Sequence, residues 1–431
     1  MIDPSQQRPA LAAALICVGI LRTTPATAEQ APGGVLCGIH INQAPPTLTP
    51  TIDSRMVGPA SDASFGCLAW QSFVYLNWPV LAGSPGEPDR EAAFGRPGPT
   101  VWETYKRHDE VFRPQARPPA PWGSPDLSTG APRPLKTTHQ AGGGSLIDRA
   151  GKPVYYEMLI DRDEFNYIVE NKLYDADAQL AFAASKGIVL PAGPTARYGA
   201  IGTIELKAAW KILTPAELAQ RPIRFHTATA RLEDGSTAVV GLVGMHLNQR
   251  IENFTQGLWA TFVQIDSAPE ADAGAPGRTY LFHDPDCARC AVNAMTDPPQ
   301  ATQVEQVFPV APSVRAVNEH MRALIRDADP NSPWQFYELL GVQWPQFALG
   351  FPVPRPDPEP VAGHGIPLSI GMPSTQTLMN PVIETFHQVN NVSCLGCHAD
   401  GATARSGSNG PIAADYSFLL GHAQSKARDS R

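Results

Sequence analysis

Apolar positions along the chain repeat with two periods, and each predicts a different element. Ile204, Leu206, Ala208, Trp210 and Ile212 alternate with Glu205, Lys207, Ala209 and Lys211. That is the period of a half-buried strand, with Lys207 and Lys211 on its solvated side. Strands are also predicted over 238–247, 258–265 and 279–283, and Glu233-Asp234-Gly235 places a hairpin before the first of these. The helical period governs other stretches. Phe65, Leu68, Ala69, Ser72 and Leu76 share a face over 64–76, and Trp78-Pro79 ends that helix. Asp161 and Glu164 make a capping-box pattern ahead of Phe165, Ile168, Val169 and Leu173. Thr214-Pro215-Ala216-Glu217 starts a further helix, with proline at its first position. Val314, Val317, Met321 and Leu324 predict one over 313–325, and Ser332-Pro333 opens another. Short connections favour antiparallel pairing, so the pattern predicts an α+β body, not a doubly wound sheet.

Four regions follow from this pattern. The stretch 29–144 holds the first helix and a proline- and glycine-rich surface excursion, interrupted by one helical stretch over 101–112. The α+β body occupies 145–351. Residues 352–360 carry proline at every second position, which makes them a stiff linker. The last region, 361–431, is mainly helical: Asn380-Pro381 starts a helix through Val382, Ile383, Phe386 and Val389, and Tyr416 to Leu420 close the chain in another.

Composition narrows the partners. Proline accounts for 44 of 431 residues and charged residues for 17%, so proline-marked loops surround a weakly charged interior. A net charge of -8 offers no basic surface for nucleic acid. At the N-terminus, Arg8 precedes an apolar run over 9–21, and Ala26-Thr27-Ala28 has the small-x-small pattern of an export cleavage site. Residues 1–28 therefore read as a signal peptide leaving Glu29 first, and the mature chain has no membrane-spanning stretch. The expected location is periplasmic or otherwise exported, where disulfides persist.

Beyond Cys17, in the signal, six cysteines remain. Cys394-Leu395-Gly396-Cys397-His398 is C-x-x-C-H, the spacing at which two thiols add to the vinyl groups of one haem while the histidine becomes its proximal iron ligand. One covalent haem c is the expected cofactor. Two other readings compete. Cys287-Ala288-Arg289-Cys290 could complete a four-cysteine zinc site, although the two pairs lie too far apart in sequence for a zinc ribbon, and Cys394 could pair with Cys397 in a disulfide. Cys37, Cys67, Cys287 and Cys290 are disulfide candidates with three possible pairings; nearness in sequence favours Cys37 with Cys67 and Cys287 with Cys290.

The run Ser393-Cys-Leu-Gly-Cys-His398 resembles the attachment site of c-type cytochromes, a likeness that covers the last seventy or so residues. The whole chain is similar to large exported bacterial proteins described only as cytochrome c family proteins. The stretches that carry this likeness are Ala69-Trp70, Leu76-Asn77-Trp78-Pro79, Leu206 to Lys211, Phe282 to Cys287 and Ala414 to Leu420. The resemblance implies a haem without implying a reaction. Small cytochromes c take a sixth ligand from a methionine downstream of the motif, and no methionine follows His398 here. Met379 is the candidate on electron-transfer grounds, with Met372, His364, His387, His422 and His246 as others. Trp70, Trp78, Trp210 and Trp259 suggest an electron relay, but burial of large rings accounts for them equally well.

The expected function is one-electron transfer in the bacterial cell envelope, with a redox partner protein or a small-molecule redox substrate. A haem enzyme of peroxidase or oxygenase type, with an open sixth position, is the alternative. A third reading is a non-catalytic envelope protein with structural haem or zinc.

Overall fold

The fold is built around one long strand that pairs with three others. The computed structural model describes residues 37–41, 45, 46, 48, 59–193, 198, 201–251, 254–271, 278–287, 289–344, 377–388, 393–405 and 410–426. The expected signal peptide, the proline-rich linker, His364, Met372 and Val389 lie outside these residues. The chain is α+β. Its strands are β1 (Lys106–Arg107), β2 (Arg133–Pro134), β3 (Tyr155–Ile160), β4 (Ile204–Ile212), β5 (Thr227–Arg231), β6 (Thr237–Ile251), β7 (Phe254–Gln264) and β8 (Tyr337–Gln343). They form a single eight-stranded sheet in which β6 pairs with β4, β5 and β7, and β8 extends β7. Every pairing is antiparallel except that of β2 with β5.

The helices are α1 (Pro59–Leu76), α2 (His108–Val111), α3 (Arg162–Glu170), α4 (Ala176–Lys186), α5 (Pro215–Leu218), α6 (Pro312–Ala328) and α7 (Cys394–His398). Local chemistry sets their starts. Asp161 accepts a hydrogen bond from Glu164 N at the head of α3, and Thr214 with Glu217 closes a full capping box on α5. Helices α1 and α6 cover one face of the sheet. Phe73 of α1 stacks on Phe262 of β7 at 4.3 Å, and Trp70 meets both rings edge-on. Asn318 of α6 accepts from Trp70 Nε1 at 2.9 Å and exchanges hydrogen bonds with the Leu339 backbone of β8, so its buried amide is satisfied.

The opposite face is covered by the C-terminal segment. Tyr156 Oη donates to Val382 O at 2.8 Å, and Asn380 Nδ2 donates to Thr261 Oγ1 and to Phe262 O. Gly244 permits this approach, since a Cβ there would lie 2.5 Å from Val382 Cγ2. Residues 36–431 accordingly cluster as one compact unit.

Several expectations are corrected. The strand Ile204–Ile212 forms as predicted but is not half-buried, because both faces are covered: Lys211 is buried and bonded to Asp148 and Glu217 at 2.9 Å each. Residues 279–283 are not a strand; Leu281 N and Phe282 N bond the turn at Asp266 and Ser267 instead of a neighbouring ladder. The stretch 101–112 is broken into a 3-10 turn at Trp102–Thr104, β1 and α2. Pro333–Phe336 makes only a 3-10 turn before β8. The segment after Asn380-Pro381 is a turn and a short 3-10 helix at Thr385–His387, and the closing helix is a 3-10 turn at Leu419–His422. Among the described residues, no helix is long and apolar enough to cross a membrane.

The expected surface excursion supplies part of the interior. Arg133 of β2 is buried; its guanidinium forms two-point contacts with Glu157 of β3 at 2.8 and 2.9 Å and lies over the rings of Trp102 and Trp210. Glu103, beside Trp102, accepts from His226 Nε2 at 2.9 Å. Burial opposes ionisation of Glu103, but His226 and Arg133 outweigh it and hold the carboxyl at about 2. Removing the guanidinium would strand two buried carboxylates. Arg133→Ala is expected to cost about 3–5 kcal/mol in urea unfolding, and a loss under about 1 kcal/mol, the scale of an exposed pair, would contradict this description.

Candidate functional site

Helix α7 is the C-x-x-C-H segment. Ser393 caps it by accepting from Gly396 N at 2.9 Å, and Gln343 of β8 accepts from Leu395 N at 2.8 Å. Spacings of three and four residues put Cys394, Cys397 and His398 on one side of this turn. Leu395, Ala399, Trp259 of β7 and Tyr416 form a small buried cluster beneath them. Cys394 and Cys397 are both free thiols. Cys394 Sγ lies 3.7 Å from Leu378 O and is half-buried, while Cys397 is exposed. Burial raises both thiols, with Glu384 adding to the effect.

His398 is the most constrained member. Its Nδ1 lies 2.9 Å from Tyr416 O. A carbonyl only accepts, so Nδ1 carries the proton and Nε2 keeps its lone pair. The ring is held between Trp259, at 4.2 Å between centroids, and Phe418, at 4.9 Å. Burial pushes the imidazole down to about 4, so it is neutral at neutral pH.

The loop that presents the Tyr416 carbonyl is held from several sides. Asp415 and Tyr416 both adopt left-handed backbone, with φ of 55° and 65°, a conformation that persists only where surrounding contacts enforce it. Asp415 Oδ2 accepts from Leu190 N at 2.8 Å, the buried Arg250 of β6 donates to Asp415 O, and Ser417 Oγ donates to Glu205 of β4. Glu205 also accepts from Asn248 Nδ2 at 3.5 Å, and it neighbours Glu164 of α3 closely enough to raise that carboxyl. Glu164 is fully buried, and neither of its oxygens has a hydrogen-bond partner among the described residues. Burial raises both carboxyls. For Glu164 the neighbouring Glu205 and Asp161 raise it further, against Arg250; for Glu205 the hydrogen bonds from Ser417 and Asn248 and the charge of Arg250 offset part of the rise.

On the other side of the motif stands a polar group from three elements. Lys207 and His246 are register partners on β4 and β6, and His246 Nε2 bonds Glu384 of the C-terminal segment. Burial disfavours ionisation of Glu384, but His246, Asn380 N and Lys207 together hold its carboxyl below the usual range. Burial lowers Lys207, partly countered by Glu384 and Cys397. Lys207 is thus not a freely solvated strand residue.

The two disulfides expected from nearness in sequence are present, Cys37–Cys67 and Cys287–Cys290. Of the sixth-ligand candidates, Met379 is buried directly after Leu378, whose carbonyl approaches Cys394. His246 contributes to the electrostatic surroundings of His398. His422 lies against His108, 4.9 Å between centroids, and His387 Nε2 is packed where a Cβ on Gly142 would fall. Trp70, Trp78 and Trp210 are core rings, whereas Trp259 touches the motif histidine. A cleft of about 440 Å³ lined by Arg149, Lys211, Glu217, Arg224 and Asp266 includes none of the motif residues. Among the described residues, no group of three or more His, Cys, Asp or Glu is arranged to hold a metal ion.

No protein-family model, curated protein or solved structure matches the chain. The likeness to cytochromes c therefore rests on the sequence alone.

Sequence reasoning missed Tyr416 O, Glu164, Glu205 and Arg250. The first acts through its backbone and leaves no mark in residue type. The others left no distinct signal: Glu164 sits in the first turn of α3, Glu205 shares the polar alternation of Lys207 and Lys211 on β4, and Arg250 follows Asn248 and Gln249 on β6, so residue type alone does not mark them as buried.

The raised Glu164 carboxyl has a consequence for stability. Its folded-state pKa exceeds the unfolded value of about 4.3, so it contributes stability fully below that value and loses it as pH rises through the folded pKa. Glu164→Gln, neutral and of equal size, lacks this loss. Its melting temperature relative to wild type is expected to rise as pH increases above the unfolded carboxyl value; a difference constant with pH would contradict a raised, buried carboxyl.

Proposed function

We propose that the protein is an exported c-type cytochrome that carries one covalent haem and transfers single electrons in the cell envelope. The observation that carries this reading is the state of His398: a neutral imidazole with Nδ1 committed to Tyr416 O and Nε2 free, on the same helical turn as two unpaired thiols. This donor set fits haem c. Cys394 and Cys397 would hold the porphyrin by thioethers and His398 would bind iron through Nε2, with the Tyr416 carbonyl tuning its basicity. Bound there, haem c supplies reversible one-electron chemistry.

The chain's own residues do the rest. Trp259 and Phe418 fix the plane of the imidazole, and Ser393 and Gln343 fix the turn. Met379, buried next to Leu378 beside Cys394, would be the second residue to hold the iron, since methionine together with histidine raises the potential into a range suited to electron transfer. The disulfide between Cys287 and Cys290 supports haem over a four-cysteine zinc site, which would need both thiols. The mature protein would meet a redox partner protein or a small redox molecule.

The second reading, a haem enzyme with an open sixth position, is favoured by the Lys207, His246 and Glu384 group beside the motif. Polar groups able to handle protons are what a distal pocket needs.

The test uses protein exported from a host that attaches haem c. A pyridine haemochrome spectrum that survives acid extraction is expected for wild type and absent for Cys394→Ala/Cys397→Ala. The wild type is expected to titrate as a one-electron couple whose spectrum does not change on adding cyanide or peroxide. Ready binding of those ligands would favour the enzyme, and absence of covalent haem would overturn both readings.

A further inference from the structure

We propose that the buried Glu164 and Glu205 pair is a proton site linked to the redox state of the motif, taking up one proton as one electron enters. This rests on the haem reading above. Two contact paths connect the pair to His398. One runs from Glu205 through Ser417 to the adjacent Tyr416, whose carbonyl holds Nδ1 of His398. The other runs across the sheet: Glu205, Asn248 and Trp259 are register partners on β4, β6 and β7, and the Trp259 ring lies on His398. Two strand spacings put the Glu205 backbone roughly 10 Å from that of the tryptophan. Charges at such range interact strongly when the space between them excludes water, and Glu164, Asn248, Trp259 and Ser417 are all buried.

The pair suits the role because it is poised between protonation states. Glu164 and Glu205 are neighbouring buried carboxyls, and such a pair retains one proton because both do not readily ionise side by side. Glu164 keeps that proton, and Glu205, satisfied in its ionised form by Ser417, Asn248 and Arg250, is the member that gains the second. The charged and titratable groups facing the pair are Asp161 and Asp163 from the head of α3, Arg250 from β6, and Asp415 from the loop. Tyr75 and Tyr105 lie beyond Asp161. The balance is simple. An external one-electron donor supplies the electron, solvent supplies the proton, an O–H bond forms on Glu205, and the site's net charge is unchanged.

Spectroelectrochemical titration of the exported holoprotein with soluble mediators, from about pH 5 to about pH 9, tests this. The wild-type reduction equilibrium is expected to shift by up to tenfold per pH unit, about 59 mV for one electron, over part of that range. Glu205→Gln should flatten the slope while retaining the haemochrome spectrum, whereas Glu164→Gln, a neutral stand-in for the protonated acid, should keep a pH-dependent slope. A wild-type infrared difference spectrum, reduced minus oxidised, should show a gained protonated-carboxyl C=O band, a readout that needs no variant to fold. A potential independent of pH in wild type overturns the inference. So does a slope that survives Glu205→Gln and vanishes in His246→Gln, which would assign it to the His246 and Glu384 pair. Protein without covalent haem would contradict the proposed function instead, so the two failures are distinct.

Discussion

The site depends on one constraint: the polar face of β4, β6 and β7 is covered by the chain's own C-terminal segment. Residues 377–426 include too few large apolar side chains to build a core of their own. They acquire structure by lying on the sheet, where Gly244 and Gly341 leave room for Val382, Ile383 and Leu378. The cover brings Glu205, Lys207, His246 and Asn248 out of water, and each then needs a partner. Those partners are Ser417, Glu384 and the loop around Tyr416. The same contacts that pay for burying the polar face therefore position His398.

Much of the body was legible in the sequence because its signals were local. The bounds of β4, the cap of α3, the capping box of α5 and the stripe of α6 match the expected elements. What failed were assignments that depend on what packs against an element. Alternation in Ile204–Ile212 implied one wet face, and the distant segment that covers it could not be seen from the strand. Leu339, Leu340 and Val342 form a short apolar run whose period does not separate strand from helix, and Ser332-Pro333 tipped the reading toward a helix start. The excursion over 80–144 looked solvated because its composition is loop-like, yet Arg133 enters the interior through a paired charge, which composition does not reveal.

The candidate site divides in the same way. Cys394, Cys397 and His398 announce themselves by spacing. The features around His398 are a backbone carbonyl in left-handed conformation and the charged groups His246, Glu384 and Arg250 from other elements, none of which is a short motif. Two of the electrostatic clusters follow one rule. Arg133 with Glu103 and Glu157, and Arg250 with Glu164 and Glu205, are buried arginines shared between two acids. In the first, His226 adds a further compensating group; in the second, burial and the neighbouring acids raise the carboxyl of Glu164.

Covalent occupancy of the motif is the central claim, and tandem mass spectrometry of the peptide spanning Ser393 to His398 from exported protein tests it most directly. One haem bound through both Cys394 and Cys397, at one per chain, is the predicted result. The same peptide carrying two free or disulfide-bonded cysteines, from a host that attaches haem to a control cytochrome in the same culture, would contradict the account.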